Sequence, residues 1–281
     1  MEKKLIQVEN LNYAYGSKQI LHDVNFKAEA NQIISLIGPN GSGKSTLLRC
    51  ISGLLNPPIA SVLLDGRPTV SYTLREIAKK IAFLPQFQGD ITSLSVAQLV
   101  ALGRAPHQLS GWFLSREDRQ KIDWAIDYMA IEPLKRRMVN QLSGGERQRV
   151  YIAMILAQDT PYILLDEPVT YMDLKHQWDL LETIVRLKEE CNKTVVSVFH
   201  DINHAIEVSD FVYLMKDGRI EKYGQTDAVI TEKSIHEVFG IPARICRFQN
   251  LDKPFVIPEG IRNCCRGSDK KHLGGKREKV I

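Results

Sequence analysis

Gly38-Pro39-Asn40-Gly41-Ser42-Gly43-Lys44-Ser45-Thr46 decides how this chain is read. Its spacing, G-x-x-x-x-G-K-[ST], is the established pattern of a phosphate-binding P-loop. Gly38, Gly41 and Gly43 leave the backbone bare, so that amide hydrogens can turn inward as a nest for phosphate oxygens. Pro39, Asn40 and Ser42 complete the loop. Lys44 is a point charge placed to reach the β- and γ-phosphates, and the Ser45 hydroxyl is a natural Mg²⁺ ligand. The flanks agree. Ile33-Ile34-Ser35-Leu36-Ile37 is an apolar run that reads as a buried strand entering the loop. Thr46 to Ile51 reads as a helix leaving it, with the positive end of its dipole toward the anion. A Gly/Ser turn that matched by coincidence would not need a strand before it and a helix after it. The stretch predicts a cradle for a nucleoside triphosphate.

With 281 residues, 44% apolar and 25% charged, the chain has the composition of an ordinary globular protein with a sizeable core. No apolar run approaches the roughly 18 residues needed to span a bilayer. The first ten residues lack the apolar core of a leader, so the expected location is the cytoplasmic side, with any membrane role exerted through a partner. The net charge of +4 is uneven: Ile241 to Ile281 holds 10 Lys/Arg against 4 Asp/Glu, leaving 27 against 29 for the rest. A near-neutral body argues against a nucleic-acid surface, and the basic end reads as a solvated tail. Five cysteines, an odd number, argue against a disulfide framework. Cys246, Cys264 and Cys265 lack the C-x-x-C spacing of a metal site.

The pattern is α/β, interrupted by a helical block. Leu5 to Asn10 and Val24 to Ala28 alternate as N-terminal strands, and Val62-Leu63-Leu64 ends at an Asp65-Gly66 turn. From Thr92 to Asn140 the period becomes helical, broken by Gly103-Arg104-Ala105-Pro106-His107. The α/β pattern then returns with Tyr162 to Leu165 as a strand and a helix carrying Leu174, Trp178, Leu181 and Val185. Thr194 to Phe199 and Phe211 to Met215 follow as strands. Strands alternating with helices predict a mostly parallel, covered sheet, giving an α/β P-loop domain over residues 1–240 and an extension over 241–281.

Acids fall where such a sheet collects its ligands. The strand from Tyr162 delivers Asp166 and Glu167 at its C-terminal end. Asp166 suits Mg²⁺, held directly or through water, and Glu167 is the better candidate for polarising an attacking water. Two acids after a strand could merely solvate a loop, but a P-loop in the same chain favours the catalytic reading. His200 ends the next strand and can donate a hydrogen bond to a γ-phosphate. Gln86, after Phe83-Leu84-Pro85, can contact Mg²⁺ or the water and sense the γ-phosphate. Leu142-Ser143-Gly144-Gly145-Glu146 is a second specific element: Ser143 as N-cap, Glu146 three residues on as a capping box, and paired glycines that leave another helix N-terminus open to an anion.

Together these residues make the chain resemble the ATP-binding subunit of ATP-binding-cassette (ABC) transporters, from Leu5 to Val238 in matching order. Gly38 to Thr46 is similar to the Walker A, Gln86 to the Q-loop glutamine, and Leu142 to Glu146 to the signature motif. Tyr162 to Glu167 resembles the Walker B with its glutamate, Asp173 the D-loop aspartate, His200 the switch histidine, and Tyr15 the aromatic that stacks on adenine. The resemblance implies ATP and Mg²⁺ as cofactors and a head-to-tail pair of subunits, each ATP lying between one P-loop and the opposite signature motif. It further implies a membrane permease as partner and, indirectly, an extracytoplasmic binding protein.

A narrower resemblance, to importers of ferric siderophores, haem and cobalamin, rests on Leu102 to His107, Thr170 to Gln177 and His200 to Ala205, and within that group it leans to the ferric siderophores. Two positions depart from the family: Val169 stands where Thr is usual, and Ile59-Ala60-Ser61 lacks a customary glycine. A soluble ABC-type ATPase of DNA repair or translation would need a long coiled-coil insertion or a second cassette. Here Lys44 and Ser143 lie 99 positions apart with no heptad run between them. An exporter subunit would share the chemistry but not the Gly103 to His107 segment. The helical block is expected to dock a permease helix, with Leu109, Trp112 and Phe113 as apolar candidates and the Gln86 loop as hinge.

Overall fold

The computed structural model describes residues 5–86, 93–108, 113–170, 172–247 and 252–259. The chain opens with antiparallel strands β1 (Leu5–Tyr15) and β2 (Lys18–Glu29), then β3 (Ile33–Ile37) and helix α1 (Lys44–Ile51). β4 (Val62–Leu64) and β5 (Arg67–Pro68) precede α2 (Leu74–Ala78) and β6 (Ile81–Leu84). Three helices follow, α3 (Val96–Leu102), α4 (Arg116–Tyr128) and α5 (Gly144–Ala157). Next come β7 (Tyr162–Asp166), α6 (Leu174–Glu189), β8 (Thr194–Val198) and α7 (Ile202–Val208). β9 (Phe211–Lys216), β10 (Arg219–Gln225), α8 (Thr226–Val229) and α9 (Glu232–Phe239) lead to a last antiparallel pair, β11 (Ala243–Cys246) and β12 (Phe255–Pro258).

The central sheet has the order β10-β9-β3-β8-β7-β6, parallel throughout except for the edge strand β10. β3, β7 and β8 are buried at every residue, as continuous apolar strands covered on both faces must be. Their period of two divides the molecule into two cores. Ile34 and Leu36 face the N-terminal sheet (order β2-β1-β4-β5) and α1, with Leu164, Val196 and Val198 beside them. Ile33 and Ile37, with Ile163, Leu165 and Val195, face the helices on the other side. This is the expected mostly parallel sheet with N-terminal antiparallel strands.

The helical block closes through a helix beyond Asn140, since α5 packs on both α3 and α4. Gly103 permits this, because a Cβ there would stand 2.1 Å from the Met154 carbonyl oxygen. Arg104, buried beside it, donates from Nε to Asp118 at 2.8 Å and from Nη1 to the Ala157 carbonyl at 2.9 Å, at the end of α5. Burial pushes the Asp118 carboxyl up, but hydrogen bonds from Arg104 and Ser115 outweigh it and hold the group below its usual value. The Gly103 to His107 segment therefore fastens the C-terminal end of α5 to its neighbours.

α6 carries Leu174, Trp178, Leu181 and Val185 as expected, but not all on its buried side. Its buried side is Leu180, Leu181, Ile184 and Leu187, whereas Leu174 and Trp178 are 68% and 48% exposed. Apolar spacing alone does not say where a helix leaves the core, and the first turn of α6 projects past it. The extension is not wholly a tail either: Ala243 and Val256 of β11 and β12 are buried in the main core. Cys264 and Cys265 lie outside the described residues, as do Thr92, Leu109 and Trp112.

The turn that lacks its customary glycine carries a backbone cost. Ala60 has φ +65°, a left-handed conformation that costs an L-residue about 1–2 kcal/mol. Its neighbour Ile59 is exposed, so no packing depends on the site. Ala60→Gly is expected to stabilise the chain by about 0.5–1 kcal/mol after the extra entropy of glycine in the unfolded state, read from urea denaturation midpoints.

Candidate functional site

Parallel strands end together, and these ends carry chemistry. β3 runs into the P-loop, β6 is followed by Gln86, β7 ends in Asp166 and Glu167, and β8 leads to His200. The loop is shaped by its backbone contacts. A Cβ on Gly38 would lie 2.0 Å from the Met215 carbonyl oxygen of β9, so only glycine lets the loop leave the sheet here. Gly43 has φ +99° and would meet the Leu21 side chain at 2.7 Å. Gly43 is also the N-cap of α1 and offers no capping side chain, which leaves the first-turn amides of that helix facing the cleft. Lys18, Ile20, Asn40, Gly41, Gly43 to Thr46 and Glu167 line the cleft. Lys18 and Ile20, from β2, had no motif to flag them. Their signal was only their place after the Gly16-Ser17 turn. Tyr15 lies at the end of β1, paired in register with Lys18, half exposed and edge-on to Tyr13.

Lys44 stretches across the loop, its Nζ donating to the carbonyls of Gly38 at 2.8 Å and Pro39 at 2.9 Å and to the Ser42 hydroxyl at 3.4 Å. Burial lowers its pKa, against the opposing pull of Glu167 and Asp166. Ser45 Oγ donates to Asp166 Oδ1 at 2.8 Å, which ties α1 to the end of β7. Asp166 is 1% exposed, and its other oxygen, Oδ2, is buried with no hydrogen-bond partner. Burial raises the pKa of this carboxyl and the nearby Glu167 raises it further, while the Ser45 hydrogen bond opposes both. A hydroxyl and an orphaned carboxylate oxygen at the mouth of a P-loop are the hard oxygen donors that suit Mg²⁺. An ammonium and a carboxylate both short of solvent are what a polyanion and a cation would relieve.

Glu167 sits in the left-handed region at φ +54°, a strained placement for a non-glycine residue immediately after a strand. Its carboxylate is gripped from two other strand ends. His200 Nε2 lies 2.6 Å from Oε1, and Gln86 Nε2 donates to Oε2 at 2.5 Å. Thr170 Oγ1 adds a longer donation to Oε2 at 3.4 Å. Gln86, Glu167 and His200 thus form one cluster although 81 and 33 positions separate them in sequence.

The second glycine-containing element stands elsewhere. Ser143 caps α5, its side chain accepting from the Glu146 amide at 3.3 Å while Glu146 accepts from the Ser143 amide at 2.9 Å. Leu142 is partly buried against the core, and Ser143 and Gly144 are exposed. None of residues 142 to 146 lines the P-loop cleft. Asp173 caps α6 and holds His176 Nδ1 at 2.8 Å, and the His176 amide and imidazole keep the Asp173 carboxyl below its ordinary value. The His176 ring packs on Gly145, where a Cβ would approach Cδ2 to 2.7 Å. His176 joins the Asp173 segment to the start of α5. It was missed as a link because it lies 31 positions from Gly145.

Comparison with known proteins adds identity to geometry. Residues 21–170 match the family model described as ABC transporter. The chain is 39% identical to the petrobactin import ATP-binding protein FpuC of Bacillus anthracis, over 92% of this chain and 94% of that protein. It is also 39% identical to the iron(3+)-hydroxamate import ATP-binding protein FhuC of Bacillus subtilis, over 90% and 94%. Among solved structures, an inward-facing metal-chelate type ABC transporter superposes with a TM-score of 0.80 at 29% identity, over 92% of this chain and 98% of that one. A dimeric ATP-binding cassette bound to ADP and phosphate matches with a TM-score of 0.69 at 32% identity, over 79% and 98%.

The raised pKa of Asp166 has a definite sign for stability. A carboxyl raised above its unfolded value of 3.8 contributes fully only below that value, and the contribution is lost as pH rises through the folded pKa. At neutral pH, far above the unfolded value, the ligand-free chain therefore keeps this carboxyl in its buried place at a cost. Asp166→Asn is expected to raise the Tm of the ligand-free chain by a few degrees at pH 7.5, on the order of 1 kcal/mol. The gain should shrink as the pH is lowered toward 4.5, as scanning calorimetry at the two pH values will show.

Proposed function

The chain belongs to the ABC transporter family as an ATP-binding, ATP-hydrolysing subunit, and we propose that the transporter it drives imports a ferric siderophore or a related iron chelate. The observation that carries the hydrolytic assignment is the convergence of Gln86, Asp166, Glu167 and His200 beside Lys44 and Ser45. Lys44 and the first-turn amides of α1 bind the β- and γ-phosphates, while Tyr15 stacks on the adenine. Ser45 and Asp166 would hold Mg²⁺, with Gln86 as a further candidate, and the bound ion would neutralise charge on the phosphates. Glu167 takes the proton of the attacking water. Gln86 and His200 orient its carboxylate, and His200 donates to the γ-phosphate when that group is present.

The separation of residues 142 to 146 from the cleft supports a composite site. Ser143, Gly144 and Gly145 serve the nucleotide on a second copy of the chain, so that two subunits close around two ATP molecules. Asp173 and His176 link the start of α5 to the segment that follows Glu167, giving each hydrolytic site a mechanical path to the neighbouring one. Among the described residues no helix is long and apolar enough to cross a membrane, in keeping with a peripheral subunit that works on a separate permease. The helical block offers the permease exposed apolar side chains, Leu102 at 39% and Phe113 at 90% exposure. An extracytoplasmic binding protein and the permease select the cargo. The iron-chelate reading draws on FpuC and FhuC, whose names specify petrobactin and iron(3+)-hydroxamate import.

Two experiments test this reading. Glu167→Gln keeps the shape and loses the base, so kcat is expected to fall about 10²–10⁴-fold with ATP affinity retained. In size-exclusion chromatography with ATP this variant should run as a dimer. Cells carrying only the variant should fail to accumulate radioactive iron from ferric hydroxamates, and wild-type turnover would remove Glu167 from its role. Phe113→Glu should leave the ATPase rate of the isolated chain within about twofold, since the side chain is solvent-exposed. It should weaken co-purification with the permease and lower iron uptake. Unchanged assembly and uptake would move the docking surface elsewhere.

A further inference from the structure

Three residues beyond His200, the short helix α7 is held by a contact from the far end of the chain. Asp201 caps α7, its Oδ1 accepting the Asn203 amide at 2.7 Å. The Asn203 side chain turns to β12. Its Oδ1 accepts the Val256 N–H at 2.8 Å, and its Nδ2 donates to the Val256 carbonyl at 3.2 Å. The pair defines the amide's orientation, because a flipped amide would set donor against donor and acceptor against acceptor. Val256 pairs with Ile245 across β11–β12, so Asn203 adds one rung on the outer edge of that pair. The rung is anchored: Val256 is 3% exposed within the main core, and the Lys253 ammonium donates to the Glu207 carbonyl of α7. On the other side of His200, Phe199 is fully buried and its amide donates to the Leu36 carbonyl at 3.2 Å.

His200 therefore hangs between two fixed points, a strand end at Phe199 and the first turn of α7. Its own side chain is 43% exposed, and the contact that defines its direction is the one to Glu167 at 2.6 Å. We propose that the β11–β12 pair acts through Asn203 to hold His200 against Glu167, which makes Asn203 a positioning residue for hydrolysis. The inference rests on the role given to His200 above. If the rung is lost, the first turn of α7 is released from β12, and with only Asp201 and Ile202 between them His200 shifts as well. A displacement near 1 Å at a catalytic group can cost on the order of 10²-fold in rate. Lys44, the first-turn amides of α1 and Tyr15, which carry most of the proposed nucleotide contacts, lie outside the α7–β12 contact, so affinity should change little.

The test is steady-state Mg-ATP hydrolysis by the full-length chain, with thermal melts of every variant. Asn203→Ala is expected to lower kcat about 5–20-fold while the KM for ATP stays within about twofold. Asn203→Gln keeps both donor and acceptor and should recover at least about half of the lost kcat. Val256→Pro removes the N–H that faces Asn203 and should reproduce the loss. It also keeps the question open to measurement should Asn203→Ala fail to fold. A wild-type kcat in Asn203→Ala or Val256→Pro, with only Tm lowered, overturns the proposal and leaves the rung as a staple of the C-terminal pair. A Gln variant as impaired as the Ala variant overturns it too. His200→Ala separates the two layers: if it hydrolyses at the wild-type rate, the underlying role of His200 falls. If it is inactive while Asn203→Ala is fully active, the positioning proposal alone falls.

Discussion

The hydrogen bond from Ser45 to Asp166 holds the centre of this molecule, because it joins the first turn of α1 to the end of β7 across the intervening strand β8. It fixes where the P-loop ends relative to the strand that supplies the acids. It also consumes one oxygen of Asp166 and leaves the other buried without a partner. Such an orphan is costly in a ligand-free chain. The unfavourable settings of Asp166 and Lys44 have the same origin, ionisable groups kept away from water. Stability is given up locally in the site proposed to take a triphosphate and a divalent cation.

Around that centre the sheet acts as a collecting device. One member of the Gln86, Glu167 and His200 cluster follows closely on each of β6, β7 and β8, and parallel pairing brings the C-terminal ends of these strands to one edge. Glu167 is the member most constrained: a left-handed backbone, a buried carboxylate and donors on both oxygens. A carboxylate held this way loses little entropy in reaching a reactive geometry, which is what the role proposed for Glu167 requires.

The helical block and the C-terminal strands look peripheral but bear on the same edge. Arg104 and His107 grip the end of α5, with His107 Nε2 at 2.9 Å from the Gln158 carbonyl, and Gln158 in turn donates to Ala78 and Ile81 where β6 begins. The helix that starts at Ser143 is therefore fastened, through its far end, to the strand that leads to Gln86. At its near end His176 and Asp173 link it to the segment after Glu167. A motion at either end of α5 has a packed route to the cluster of Gln86, Glu167 and His200.

The sequence by itself determined the P-loop, the strand before it and the helix after it, the acids at the end of β7 and the capping box at Ser143. Each is a local matter of turn geometry, residue period or a side chain bonding to its own backbone three residues away. Only the tertiary structure decided which distant groups meet. Gln86 and His200 close on Glu167, Gly145 accepts the His176 ring, and Asn203 reaches Val256 53 positions on. It also decided that Leu174 and Trp178 face solvent despite helical spacing that fits a core. These outcomes depend on strand order and on where a helix runs off the core. Both are set by packing between segments far apart in the chain, on which a local pattern carries no information.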